Sequence, residues 1–201
     1  YRSINDSRPG EVDVATGKLT LFPVDGGTAA FGGFEYARNG KGLYFVSDEN
    51  TEFRHLRHHD PVSGKTTVIS KHIPWDVENF TQNDDGSRIA FVSNEDGISV
   101  LHVLDTADYR ELRLPALPIG VVGGIEFSPD GGRLALSINT ATSPTDVYVV
   151  DIAGNRLTRW TQSEVGGLDT SKFATPTLVR FKSFDGRSIP AFYYRPLGLK
   201  A

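Results

Sequence analysis

The sequence predicts an all-β fold: a β-propeller with four-stranded antiparallel blades, of which about three and a half are present, followed by a β-hairpin. The first observation is a turn phrase, Asp followed five positions later by Lys or Arg, which recurs in steps of 47, 45 and 46 residues. The second is an Asn-Gly or Asp-Gly type of turn that precedes a short apolar run in each period. A fixed period in the mid-forties indicates a copied unit that must stack on its neighbours to bury its apolar face.

The first phrase marks the last turn of each unit. Its four copies are Asp13…Lys18, Asp60…Lys65, Asp105…Arg110 and Asp151…Arg156. We interpret each Asp as a turn cap, because an Asp side chain accepts hydrogen bonds from the backbone of its own turn. The alternative is a ring of metal-binding carboxylates, but metal ligands must converge whereas equivalent turns of successive blades are spread apart. We therefore predict no metal site in these turns.

Four strands per period follow from the turns. One strand precedes the Gly turn, a second follows it, a third ends at the Asp, and a fourth follows the Lys or Arg. The predicted first and second strands are 34–36 and 43–46, 80–82 and 89–92, and 125–127 and 134–138. The predicted third strands include 100–104 and 147–150, and the predicted fourth strands include 66–69 and 157–160. A four-stranded antiparallel unit of this length is typical of a propeller blade.

Composition excludes several classes of protein. The chain is 38% hydrophobic, and its longest apolar stretches are four or five residues, whereas a membrane-spanning helix needs about 20. The net charge is −4 with both signs mixed along the chain, so no basic surface for nucleic acid is predicted. The chain has no Cys, which excludes disulfides. We expect no membrane span, no nucleic acid and no cofactor.

The repeat sets the expected domain boundaries. We predict a partial propeller over 1–165, with the tail of one blade at 1–26 and blades at about 27–72, 73–118 and 119–165, then a linker at 166–176 and the opening hairpin of a second domain at 177–201. Closed propellers typically have about four to eight blades, and the chain has no Met, even at position 1. We therefore expect a piece of a longer polypeptide whose remainder completes the ring, with self-association through open blade edges as a further possibility.

The segment after the last repeat predicts a hairpin. Aromatic-rich strands at 178–184 and 189–194 flank Asp185-Gly186, a dipeptide that favours a tight turn. The turn Ser128-Pro129-Asp130-Gly131, followed by Lys-Ser-Phe-Asp-Gly-Arg-Ser-Ile-Pro-Ala-Phe-Tyr-Tyr-Arg-Pro at 182–196, resembles the prolyl oligopeptidase family of serine peptidases. The propeller part of this resemblance is shared with TolB-like propellers, and the hairpin is the more specific part.

The resemblance implies a two-domain enzyme. In that family the propeller covers an α/β-hydrolase domain, so that only short or unfolded peptides reach the catalytic Ser, Asp and His, and the hairpin at 177–201 opens the catalytic domain. The implied partners are a peptide substrate and the remainder of the same polypeptide. The alternative is a fragment of a TolB-like or other non-catalytic propeller that binds a protein or peptide.

No catalytic residue is predicted in the chain itself. The nucleophile of an α/β-hydrolase lies in a Gly-x-Ser-x-Gly turn between a strand and a helix, and the sequence contains no such pentapeptide. The nearest match is the Gly186-Arg187-Ser188-Ile189-Pro190 segment, which lacks the final Gly and lies in the predicted hairpin. We therefore predict that Ser188 is structural and that the chain alone hydrolyses nothing.

Two other motifs suggest ligand binding. His55, His58, His59 and Asp60 resemble zinc ligands, but they fall on a third strand, where 58 faces away from 55 and 59. We predict no metal there, and we expect this strand to be an exposed or partner-facing edge. The run Ser63-Gly64-Lys65-Thr66 resembles the end of a phosphate-binding loop, but His59 stands where that loop needs Gly and a strand follows. We predict a blade turn.

The aromatic side chains of the repeats are expected to pack between blades and not to stack on bases. Those on or next to predicted strands are Phe31, Phe34, Phe45, Phe80, Phe91 and Phe127. Trp75, at the entry of one blade, and Trp160, at the end of another, are expected to be packing anchors.

Overall fold

A computed structural model describes residues 3, 5–22, 24, 27–196 and 198. This part of the chain is all-β, with fifteen strands and one turn of 3₁₀ helix at Thr170–Lys172. The strands are β1 (Gly10–Val12), β2 (Leu19–Leu21), β3 (Phe31–Tyr36), β4 (Leu43–Ser47), β5 (His55–Asp60), β6 (Lys65–Val68), β7 (Val77–Gln82), β8 (Arg88–Glu95), β9 (Ile98–Asp105), β10 (Gly120–Phe127), β11 (Arg133–Thr140), β12 (Ser143–Asp151), β13 (Arg156–Arg159), β14 (Thr177–Lys182) and β15 (Ser188–Tyr193). No helix within these residues is long and apolar enough to cross a membrane.

The sheets follow the predicted repeat. Strands β3 to β6 form one four-stranded sheet and β10 to β13 another, each in sequence order, and both are antiparallel. Strands β7 to β9 form a three-stranded sheet, and β1–β2 and β14–β15 form two-stranded sheets. The chain divides into two compact units, Tyr1–Phe80 and Thr81–Ala201. This architecture confirms an all-β propeller type of fold, whereas the predicted domain boundaries remain predictions.

The strands extend beyond their predicted ends. The strand predicted at 134–138 is β11 (Arg133–Thr140), and that predicted at 125–127 is β10 (Gly120–Phe127). Polar and glycine residues at the ends of these strands still form ladder hydrogen bonds, so an apolar run identifies the buried centre of a strand better than its termini.

The blade at 73–118 has three strands in place of the predicted four. After β9, the returning chain forms one isolated bridge, between Leu104 and Glu111, and then leaves the sheet edge. Pro115 follows four residues after Glu111, and a proline has no N–H with which to continue a ladder. The expectation of four strands was therefore wrong for this blade.

The recurring Asp residues are turn caps, as predicted. Asp13 Oδ1 accepts from Thr16 N at 2.8 Å, Asp60 Oδ1 from Val62 N at 2.9 Å, Asp105 Oδ1 from Ala107 N at 2.9 Å and Asp151 Oδ1 from Gly154 N at 2.8 Å. The Ser63 hydroxyl and then the Val62 amide lower the pKa of Asp60 by bonding to its ionised form. Each Asp thus stabilises the turn that follows the third strand of its repeat.

The aromatic rings of the first unit pack on one another within the sheet of β3 to β6 and not between blades as predicted, and Trp160 is exposed. The rings of Phe34 and Phe45 stack with centroids 5.4 Å apart, and Phe31 lies 5.8 Å from Phe45. The ring centroids of Trp75 and Phe53 are 6.3 Å apart. Trp160, in contrast, is 64% exposed, because it comes directly after the edge strand β13, which has no neighbour on its outer side. It is therefore not a packing anchor among the described residues.

The second unit contains a contiguous apolar core. Inward-facing side chains of β8 and β9 meet those of β10, β11 and β12. The fully buried members are Ala90, Val92, Val103, Leu134 and Val150. This core fixes the strand ends and turns to which the C-terminal hairpin attaches.

Candidate functional site

The C-terminal hairpin forms at the predicted turn. Strands β14 and β15 pair antiparallel, with Lys182 opposite Ser188. The turn places Gly186 at a φ of +83°, a value that favours glycine, and Asp185 Oδ1 accepts from Arg187 N at 3.1 Å. The predicted strands at 178–184 and 189–194 are observed one or two residues earlier at their ends.

One face of the hairpin contacts the turn between β8 and β9. Arg180 of β14 forms a two-nitrogen ion pair with the Asp96 carboxylate, with Nη1 donating to Oδ1 at 3.3 Å and Nη2 donating to Oδ2. A Cβ added at Gly97 would lie only 3.0 Å from Cε2 of Phe192 in β15. We call Asp96, Gly97, Arg180 and Phe192 the hairpin–blade contact.

The geometry of the β8–β9 turn makes this contact possible. Only two residues connect the strands, and both have positive φ, 56° at Asp96 and 83° at Gly97. Such a turn needs residues that tolerate the left-handed region, and Asp and Gly do so. It therefore presents a carboxylate next to a position without a side chain, which lets the Phe192 ring approach the backbone.

The blade that precedes the hairpin contains a buried carboxylate that the sequence analysis missed. Asp146 is 1% exposed, and its oxygens accept from Thr161 Oγ1 and Ser163 N at 2.8 Å, from Ser143 Oγ at 2.9 Å and from the Arg159 guanidinium. Burial by itself would raise the pKa of Asp146, but these hydrogen bonds together hold it well below its usual range.

These bonds join β13 and the residues directly after it, up to Ser163, to β12, and we call them the Asp146 clasp. The sequence signal was weak, because the clasp combines residues 3 to 17 positions away from Asp146. An Asp in the strand β12, followed by an Arg at the end of β13 and then by Thr and Ser, was the available clue.

Ser188 has none of the neighbours that a nucleophile requires. It is exposed at the first position of β15, and neither a His nor a carboxylate hydrogen bonds to its hydroxyl in the part of the chain that the structure describes. Attack by Ser needs an adjacent base that removes its proton. The absence of a catalytic residue from this chain stays a prediction, and the surroundings of Ser188 agree with it.

The three His residues of β5 point to different partners. His55 Nδ1 lies 3.3 Å from Ser70 Oγ, His58 Nε2 donates to the Lys41 carbonyl at 2.8 Å, and His59 Nδ1 lies 3.0 Å from Thr66 Oγ1. Across the described ranges, no three His, Cys, Asp or Glu side chains form a group that could hold a metal ion. The run at 63–66 is a blade turn in which Gly64 N donates to Asp60 O at 2.9 Å.

The expectation that this strand is an exposed edge was wrong. Strand β5 lies between β4 and β6, and Leu56 and Arg57 are 0% and 4% exposed. The cost of burying the Arg57 guanidinium is offset by its partners. It donates to the carbonyls of Ser47 and Glu49 and lies 3.7 Å from the Glu49 carboxylate. Burial lowers the pKa of Arg57 and the Glu49 charge opposes that effect, so a charged residue here does not indicate an exposed strand.

Solved structures share this fold. A structure from a study of two prolyl endopeptidases matches 99% of the chain with a TM-score of 0.78 at 16% identity, and puromycin hydrolase matches 94% with 0.74 at 21%. TolB from Acinetobacter baumannii matches 96% of the chain with 0.60 at 19%. The chain spans 29% of the length of each of the first two proteins and 44% of TolB. No protein-family model and no curated protein sequence matches the chain. At these identities the likeness establishes the propeller fold.

Proposed function

We propose that the chain is the propeller portion and opening hairpin of a serine peptidase of the prolyl oligopeptidase type. The propeller acts as a gate that admits short peptides, and residues outside this sequence perform the hydrolysis. The observation that carries the proposal is the hairpin–blade contact. Among the described strands, β14 and β15 pair with no blade, and they contact a blade turn through side chains. The likeness to a prolyl endopeptidase over 99% of the chain supports it.

The roles of this chain's residues follow from their contacts. The Asp146 clasp fixes the end of the last blade, up to Ser163. The linker begins with Gly166 and Gly167, which are exposed and have φ values of 65° and 74°. Glycine at such angles changes conformation at little steric cost. Beyond it, the Arg180–Asp96 pair orients the hairpin, and with it the catalytic domain that the hairpin would open.

This arrangement lets the gate open. The Arg180 side chain is 47% exposed and that of Asp96 is 19% exposed, so water can replace the ion pair. An exposed pair contributes only about 0.2–1 kcal/mol. A gate must separate and close again without unfolding the propeller, and a weak contact beside a strong clasp allows this.

Active-site labelling tests the proposal. The complete protein that contains this sequence is treated with a fluorophosphonate probe, which reacts with an activated serine nucleophile, alongside the 201-residue chain. We expect the complete protein to be labelled and to cleave a fluorogenic proline-containing peptide, and the short chain to remain unlabelled. A Ser188→Ala variant of the complete protein is the matched control and keeps full labelling. Labelling that disappears in this variant would contradict the structural role of Ser188.

A second candidate is a non-catalytic propeller that binds a protein or peptide. The match to TolB over 96% of the chain favours it, although with a lower TM-score than the endopeptidase. The labelling experiment separates the two, because a complete protein that never reacts with the probe and continues into further blades belongs to the second class.

A further inference from the structure

The outer edge of the three-stranded blade differs from the equivalent edges of the other two blades. In those blades a fourth strand, β6 or β13, covers the third strand. In the blade at 73–118 the third strand, β9, is covered only near its end, where Leu112 N donates to Val103 O at 2.8 Å. Among the residues that the structure describes, the part of β9 closer to the β8–β9 turn has no neighbouring strand on this side.

The complete blades show what the uncovered edge lacks. In one, Ile69 N donates to Leu56 O at 2.8 Å while Leu56 N donates to the Ser70 hydroxyl at 3.0 Å. In the other, Trp160 N donates to Val147 O and Val147 N donates to the Thr161 hydroxyl, both at 2.8 Å. An apolar residue followed by Ser or Thr thus satisfies both backbone groups of one third-strand residue.

The repeat places Leu101 at the position of Leu56 and Val147. Leu114 then stands at the position of the apolar residue and Pro115 at that of the Ser or Thr. Proline has no hydroxyl, and its ring diverts the chain, so neither of the two bonds forms at Leu101 within the described residues. A backbone edge without partners is a template for another strand.

A cavity lies beside this edge. It has a volume of about 350 Å³ and lies between residues 98–101 of β9 and the departing segment 111–119. Leu112, Leu114 and Leu117 line it and also pack against the core of the unit. Its volume is at the small end of the range of about 300–1,000 Å³ for binding pockets, which suits one or two apolar side chains of a short segment.

A charge on the departing segment indicates the flank of the ligand. Arg113, directly before Leu114, is exposed and forms no ion pair within the part of the chain that the structure describes. The neighbouring Glu111 is engaged with His102 Nδ1 at 2.7 Å. An acidic residue at the corresponding end of a bound segment would therefore meet an available cation.

We propose that the unpaired edge of β9 at Leu101, which is 8% exposed and lines this cavity, binds an extended peptide of a partner protein as an added antiparallel strand. The peptide carries an acidic residue, an apolar residue and then Ser or Thr. The N–H of its apolar residue donates to Leu101 O, its hydroxyl accepts from Leu101 N, and its apolar side chains enter the 350 Å³ cavity. Strand addition derives affinity from main-chain bonds and specificity from such side-chain pockets. The site does not rest on the proposed peptidase function.

The first experiment uses fluorescence anisotropy with the 201-residue chain. The probe is the peptide Glu-Ile-Ser-Val-Thr-Val, labelled at its C-terminus, and the matched control has N-methyl-isoleucine in place of isoleucine. We expect saturable binding of the probe and about tenfold weaker binding of the control, equivalent to about 1.4 kcal/mol, because methylation removes the donor to Leu101 O. Equal binding of the two peptides, or no binding of the probe at its solubility limit, would overturn the proposal.

The second experiment lets the chain's own segment occupy the unpaired edge of β9. In the variant Pro115→Thr the chain regains the apolar-Thr pair of the complete blades, so its own segment can bond to Leu101. We expect peptide binding to weaken at least about tenfold, while Pro129→Thr, in a turn on another blade, retains it. Hydrogen exchange of the Leu101 amide in the unmodified chain gives an independent readout that needs no variant. The probe peptide should slow this exchange, and an unchanged rate at saturation would refute the assigned edge.

Discussion

Substitutions in the Arg180–Asp96 pair test directly whether this ion pair attaches the hairpin to the blade. We consider the variants Asp96→Asn, Arg180→Gln and the double variant. Asn is well tolerated at the positive φ of 56° at position 96, so the first variant removes charge without straining the turn. The structure therefore predicts that any effect comes from the lost ion pair.

The magnitude follows from exposure and geometry. Exposed ion pairs contribute about 0.2–1 kcal/mol, and the two-nitrogen geometry with a carboxylate only 19% exposed places this pair near the upper limit. We expect a coupling energy of about 1 kcal/mol, or about a fivefold change in the equilibrium between docked and released hairpin. High salt should reduce the coupling, because screening weakens partly exposed charges.

Amide hydrogen exchange of β14 and β15 measures this equilibrium. An isolated two-stranded hairpin is only marginally stable in water, so a released hairpin frays and exchanges. Each single variant should exchange about fivefold faster than the unmodified chain, and the double variant no faster than the singles. Arg110→Gln is the control, because its pair with Asp108 is 3.9 Å long and both side chains are more than 60% exposed. Additive effects in the double variant, or coupling that persists unchanged in high salt, would refute this reasoning.

Three further predictions concern stability. Asp146→Asn should lower the unfolding midpoint in urea at neutral pH, and the difference from the unmodified chain should shrink below about pH 4, because a carboxylate with a depressed pKa loses its contribution as it becomes protonated. Burial and then the charge of Arg57 lower the pKa of His55. Neutral His55 therefore contributes fully to the free energy of unfolding above about pH 6.5, and this contribution is lost as the pH falls below that value. His55→Gln should make the free energy of unfolding, measured in urea, fall less steeply between neutral and mildly acidic pH. Leu134→Ala, at a side chain that is 0% exposed, should cost about 2–5 kcal/mol in urea unfolding, whereas Val14→Ala, at 97% exposed, should change stability by less than about 0.5 kcal/mol.

Local chemistry explains which parts of the fold the sequence could predict. The Asp caps and the Asp185-Gly186 turn depend on residues within a few positions of one another, so their spacing alone indicates the turns and strands. The Arg180–Asp96 pair joins residues 84 positions apart, and no local pattern marks either partner. The burial of Arg57 was not predicted because its partners are mainly backbone carbonyl groups. Every residue has a carbonyl group, so the residue types in the sequence do not show which of them will meet Arg57.

The repeat itself could have predicted the missing fourth strand, through Pro115. The alignment that identified the blades also places this proline where the complete blades have Ser70 and Thr161, whose hydroxyls accept from the third strand. A propeller can omit such a bond because the outer edge of a blade is not needed to stack it on its neighbours. The inner strands β7 and β8 keep the regular pattern, and only the outer strand departs from it. Departures at the outer edge therefore have little effect on the fold, and this is the position at which a propeller can gain a binding edge without losing its core.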